Sequence, residues 1–75
     1  MEEHQIKERL LAENFEFRRL HDEHRDHDFH LSELSAKPFL TPEEELRERE
    51  LKKQKLFLKD KMALIVRDFQ KSLQD

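Results

Sequence analysis

The chain has 75 residues, with 15 Lys and Arg against 18 Asp and Glu, a formal net charge of −3, no Gly and no Cys. This length holds one small domain at most, and the composition excludes a Gly-rich phosphate loop, a nucleophile elbow, a disulfide, a thiolate metal site and a Cys nucleophile. Charged side chains make up 44% of the residues, a bias typical of long helices, and the small negative balance gives no general pull toward nucleic acid.

Met1-Glu2-Glu3-His4 has neither the basic nor the apolar region of a signal peptide. The longest apolar run, Met62 to Val66, is far shorter than the roughly 20 residues a membrane span needs. A soluble, cytoplasmic protein is expected. Residues 3–35 contain neither Gly nor Pro, and apolar side chains recur at 3-4 spacing: Ile6, Leu10, Phe17, Leu20, Leu31 and Leu34. Glu13, His24 and His27 fill the missing places of that series. A helix over about 3–35 with a narrow apolar stripe follows.

The joint is residues 36–41. Pro38 and Pro42 each lack an N–H and disfavour helix in the residue before them. Thr41-Pro42-Glu43-Glu44 then reads as a helix start. Thr41 is the N-cap, Pro42 takes the first helical position, and Glu44 closes a capping box. Helix 2 is expected over about 42–73, with the seam Leu51, Leu58, Met62, Ile65 and Phe69, interrupted by Lys55. Glu43–Arg47, Glu45–Arg49 and Glu48–Lys52 add pairs four apart on its solvent side.

Two long helices joined by a short loop are antiparallel neighbours. The fold class expected for residues 1–75 is therefore all-α: a single antiparallel two-helix hairpin with coiled-coil-like packing. Centring the reversal on the joint sets Leu31 opposite Leu46, Phe17 opposite the Leu58–Met62 region, and Leu10 opposite Ile65 or Phe69. One seam does not use every large apolar side chain. Leu11, Phe15, Phe29, Leu56, Phe57, Leu64, Val66 and Leu73 are left over, mostly toward the open end where the termini meet. A helix apolar nearly all round expects burial on all sides. All of these except Phe29, which lies toward the joint, are the candidate oligomer interface, most simply of a homodimer that forms a four-helix bundle.

His21, His24, His27 and His30 recur every third residue. Imidazoles three or four apart can chelate a divalent metal, so His24, His27 and Asp28, with Glu50 across the hairpin, are an alternative metal site. The plainer reading is a polar seam segment or a solvated face. Protonation of His24 and His27 in a seam that also holds Lys53 and Lys55 is unfavourable, so stability should fall between about pH 7 and 5. Lys52, Lys53, Lys55 and Lys59 form the alternative polyanion site. Against it stands the commoner role of lysine runs, whose stems cover apolar surface while the charges stay in water. Neither HExxH nor the Glu-x-x-His pair of di-iron bundles is present. Acid–base chemistry needs desolvated groups in a concave pocket, which a hairpin does not offer. No catalytic residue, cofactor or membrane partner is expected.

Two stretches carry a family resemblance. Phe17-x-x-Leu20-x-x-x-His24-x-x-x-Asp28-x-x-Leu31, followed by Leu51-Lys52-Lys53-Gln54-Lys55-Leu56-x-Leu58-Lys59-Asp60-x-Met62, resembles the YdcH-like family of small uncharacterised bacterial proteins. The resemblance covers about residues 10–66 and implies a bacterial origin and a helical hairpin. It brings no activity. His24 and Asp28 occupy positions that the family often fills in this way, whereas His27 departs from its usual apolar residue and so implies a locally weaker seam. Together these readings point to a non-catalytic protein–protein interaction module that self-associates. The alternative is a ligand-binding module for metal at the histidines or polyanion at the lysines.

Overall fold

The computed structural model describes residues 2–74, and side chains of residues 2–73. Among these residues the secondary structure is entirely helical: α1 (Glu3–Glu13), α2 (Phe15–Ser35) and α3 (Pro42–Gln74). The expectation of two helices is corrected to three, because residues 3–35 are not one helix. Asn14 has φ −111° and ψ 108°, an extended conformation. Its N–H donates to the Leu10 carbonyl at 2.8 Å and its carbonyl accepts from the Arg18 N–H at 3.1 Å. Its side-chain Oδ1 accepts from the Phe17 N–H at 2.9 Å. One residue thus closes α1 and caps α2. Asn offers the backbone a local hydrogen bond that competes with helix continuation. The break takes Glu13 out of the seam and sets both Leu10 and Phe17 into the core.

At the joint, the Glu44 N–H donates to the Thr41 hydroxyl at 3.1 Å and the Thr41 N–H donates to the Glu44 carboxylate at 3.0 Å. Lys37 reaches across the joint to the same carboxylate. The Lys37 ammonium and the Thr41 N–H together hold the Glu44 carboxyl down at about 2. Thr41→Ala removes the acceptor for an orphan N–H and is expected to cost about 1 kcal/mol, while Thr41→Ser leaves stability nearly unchanged. Urea unfolding midpoints of the two variants check this.

α3 runs back along α2 and α1. Its inward line is Glu44, Glu48, Leu51, Lys55, Leu58, Met62, Ile65 and Phe69, each wholly or partly buried, at alternating 3-4 spacing. Across the gap, Asp28 pairs with Lys55. A reversal centred on the joint would have set Asp28 near Arg49 instead, so the register differs from the one expected. Helical backbone continues through Ala36, and the Lys37 N–H bonds the Leu34 carbonyl at 3.2 Å, so the chain turns later than the middle of the joint. Leu46, expected opposite Leu31, is accordingly 57% exposed.

The main core lies at the far end from the joint. Ile6, Leu10, Phe17 and Val66 form one buried cluster, with Leu11, Met62, Ile65 and Phe69 packed against it. Two members of the expected oligomer interface are corrected by this cluster. Val66 is only 7% exposed and Leu11 is half-buried, because α1, set off by the break at Asn14, closes over that stretch of α3. The Arg9 guanidinium lies 5.5 Å from the centre of the Phe69 ring and covers its outer side. The molecule is a rod of 52 × 19 × 16 Å.

Candidate functional site

Three groups of residues were singled out by the sequence, and the fold treats them differently. The histidines do not converge. His21 turns to Asp22 on its own helix at 3.7 Å. His30 turns to Asp26 at 3.6 Å and Glu33 at 3.8 Å, with its ring edge-on to Phe29. All four are half-buried, and His24 and His27 fall in the 3-4 phase of the seam set by Phe17, Leu20, Leu31 and Leu34. Nε2 of His24 and Nδ1 of His27 are buried and meet no hydrogen-bond partner among the described residues. Burial pushes the His24 imidazole below its ordinary value. Asp28 opposes that shift, whereas Lys55, Lys59 and His21 reinforce it.

Asp28 itself is committed to Lys55, whose hydrogen bond lowers its carboxyl. The charge of Asp28 is therefore already matched, and Glu50 lines a separate groove with His27 and His30. Among the described residues no group of three or more His, Cys, Asp or Glu side chains is placed to hold a metal ion.

The lysines divide as well. Lys52, Lys55 and Lys59 line an open groove between α2 and α3, together with Asp28, Leu31, Ser32, Ser35, Glu48 and Leu56. Lys53 is not among the residues that line it. Within the groove Lys52 lies 3.5 Å from Glu48 and Lys55 holds Asp28. Two of the three cations thus face carboxylates, and a phosphate chain entering there meets acid as well as base. The sequence revealed the Glu48–Lys52 pair but not the other, because Asp28 reaches Lys55 only through the tertiary register.

The remaining feature is the apolar surface that the core leaves outside. Phe15 is 83% exposed and Phe57 59%; Leu56, Leu64 and Leu73 are also exposed. Of the expected interface, these five remain at the surface. Phe29 on α2, left over from the seam but not assigned to the interface, is exposed as well, and so is Phe39 in the joint, which sequence reasoning passed over. The ammonium of Lys61 lies 4.8 Å from the centre of the Phe57 ring. No helix of the described residues is long and apolar enough to cross a membrane.

A family model described as "Protein of unknown function (DUF465)" matches residues 17–66. The matched segment begins within α2, just after the break at Asn14, takes in the joint and most of α3, and ends at Val66 in the core. No curated protein and no solved structure matches the chain.

Proposed function

From the premise that this chain belongs to the DUF465 family of proteins of unknown function, the family of the YdcH-like proteins, we propose that it is a non-catalytic protein–protein interaction module that self-associates. The observation that carries this reading is the set of large apolar side chains left exposed once the chain has folded, Phe15, Leu56, Phe57, Leu64 and Leu73. Scattered single apolar residues on a surface are ordinary. Here Leu56, Phe57 and Leu64 crowd two turns of one helix, in a rod too thin to hide them. Fully burying each such side chain gains roughly 1.5–3 kcal/mol, and a lone core of this size seldom supplies more than about 3–5 kcal/mol net. Association offers the missing burial. The simplest assembly is a homodimer that sets two α2–α3 pairs side by side as four helices.

Binding of metal or polyanion receives less support, since Asp28 and Glu48 already face the lysines and the histidines diverge. Among the described residues the grooves along the rod lie open to solvent, and catalysis too receives less support than association. The test is sedimentation equilibrium of the whole chain from micromolar to millimolar concentration, with melting curves at each. A concentration-dependent mass and a melting temperature that rises with concentration are expected. A folded monomer throughout, with a constant melting temperature, would reject the reading.

A further inference from the structure

We propose that the outward face of α3 is a self-complementary docking surface for a second copy of this chain, with the two α3 helices parallel and in register. The proposal rests on the self-association reading and specifies which surface carries it. Phe57 and Leu64 are seven residues apart, so they lie on one line along α3. That line faces away from α1 and α2, since both side chains are at least half exposed while Lys55, Leu58, Met62 and Val66 turn inward.

The charges beside this line have a particular order. Asp60 and Lys61 follow Phe57 by three and four residues, and Arg67 and Asp68 follow Leu64 by three and four. Residues three and four ahead fall on opposite flanks of a helix line. One flank therefore reads Asp60, Arg67 and the other Lys61, Asp68. Among the described residues, Asp60, Arg67 and Asp68 form no ion pair within the chain. Lys61 is spent only on the exposed ring of Phe57.

In a parallel two-fold pair each flank meets the opposite flank of its partner. Phe57 then stacks on the partner's Phe57, and Leu64 on the partner's Leu64. Asp60 lies level with the partner's Lys61, and Arg67 level with the partner's Asp68. Antiparallel pairing brings like flanks together and does worse. Setting Phe57 on the partner's Leu64 places Asp60 against the partner's Asp60 and Lys61 against the partner's Lys61. Centring on Leu64 instead matches the charges but sets Phe57 opposite the partner's Lys71. Only the parallel register satisfies the apolar line and both charged flanks together.

The orientation has a direct test. Sedimentation velocity is run on the wild type and on three variants, with circular dichroism to confirm that each is folded. Phe57→Glu is expected to abolish association. Asp60→Lys sets like charges level across the interface and is expected to weaken it by about tenfold. Combining Asp60→Lys with Lys61→Asp exchanges the two flanks, which restores the parallel pairing and brings association back close to wild type. In the antiparallel register centred on Leu64 the same exchange creates two repulsions and weakens association further, a result that would overturn the orientation. Association indifferent to both Phe57→Glu and Asp60→Lys would reject this face while leaving self-association in place. A wild type that is monomeric at every concentration would remove both.

Discussion

Phe17→Ala is expected to leave the chain largely unfolded at 25 °C. Phe17 is 1% exposed and sits where all three helices meet, in the cluster with Ile6, Leu10 and Val66. Truncating a buried Phe to Ala costs about 3–5 kcal/mol, the lost transfer energy plus the cavity. A single core in a chain this short has roughly that much net stability in total. The contrast lies two residues away. Phe15 flanks the same break but is 83% exposed, and Phe15→Ala should shift the stability of the unassociated chain by no more than about 0.5 kcal/mol. Far-UV circular dichroism and thermal melts at matched concentration separate the two. A cooperative Phe17→Ala melt close to wild type would mean that the three-helix junction is not where stability resides.

The second large effect is expected at His24. In the folded chain burial holds its imidazole below the ordinary value of 6.5, with Lys55, Lys59 and His21 acting in the same direction and Asp28 against it. The unfolded chain therefore takes up the proton more readily than the folded one. Above pH 6.5 both states are neutral at this group and its contribution is fully present. As pH falls from 6.5 through the lower folded value, stability is lost. A second loss follows in stronger acid. The carboxyls of Asp28 and Glu44 are held below their ordinary values by Lys55 and Lys37, so their contributions are fully present above the ordinary carboxylate range and are lost as pH falls through it, for Glu44 down to about 2.

His24→Leu removes a buried ring nitrogen that has no partner and continues the line of Phe17, Leu20, Leu31 and Leu34. It should raise stability by about 1–2 kcal/mol, part of the gain for a fully buried Leu, and flatten the loss between neutral and mildly acidic pH. Urea unfolding at neutral pH and at pH 5 measures both effects. Equal midpoints for the wild type at the two values would show that the seam histidine does not couple to folding.

Several features of this protein were written in the sequence by itself. The start of α3 was legible because a capping box is a contact between residues three apart, complete in Thr41 and Glu44 whatever else the chain does. The inward line of α3 was legible because the 3-4 repeat of Leu51, Leu58, Met62, Ile65 and Phe69 follows from helix geometry alone, and the same rule placed His24 and Lys55 as polar members of the seam. The family resemblance rested on the same stretch and is matched over residues 17–66.

Other features were decided only when the helices met. Asn14 is compatible with a helix interior as well as with a cap, and it becomes a break because the break lets α1 cover Val66 and brings Leu10 and Phe17 into one cluster. The register that joins Asp28 to Lys55 depends on how far helical backbone persists past Ser35, which no spacing rule specifies. That register pairs a lysine that looks free in the sequence, and the closure of α1 divides the surplus apolar residues into half-buried Leu11 and buried Val66 on one side and exposed Phe57 and Leu64 on the other. Contacts within a turn or two are fixed by the helix itself, whereas contacts between elements depend on where each helix stops.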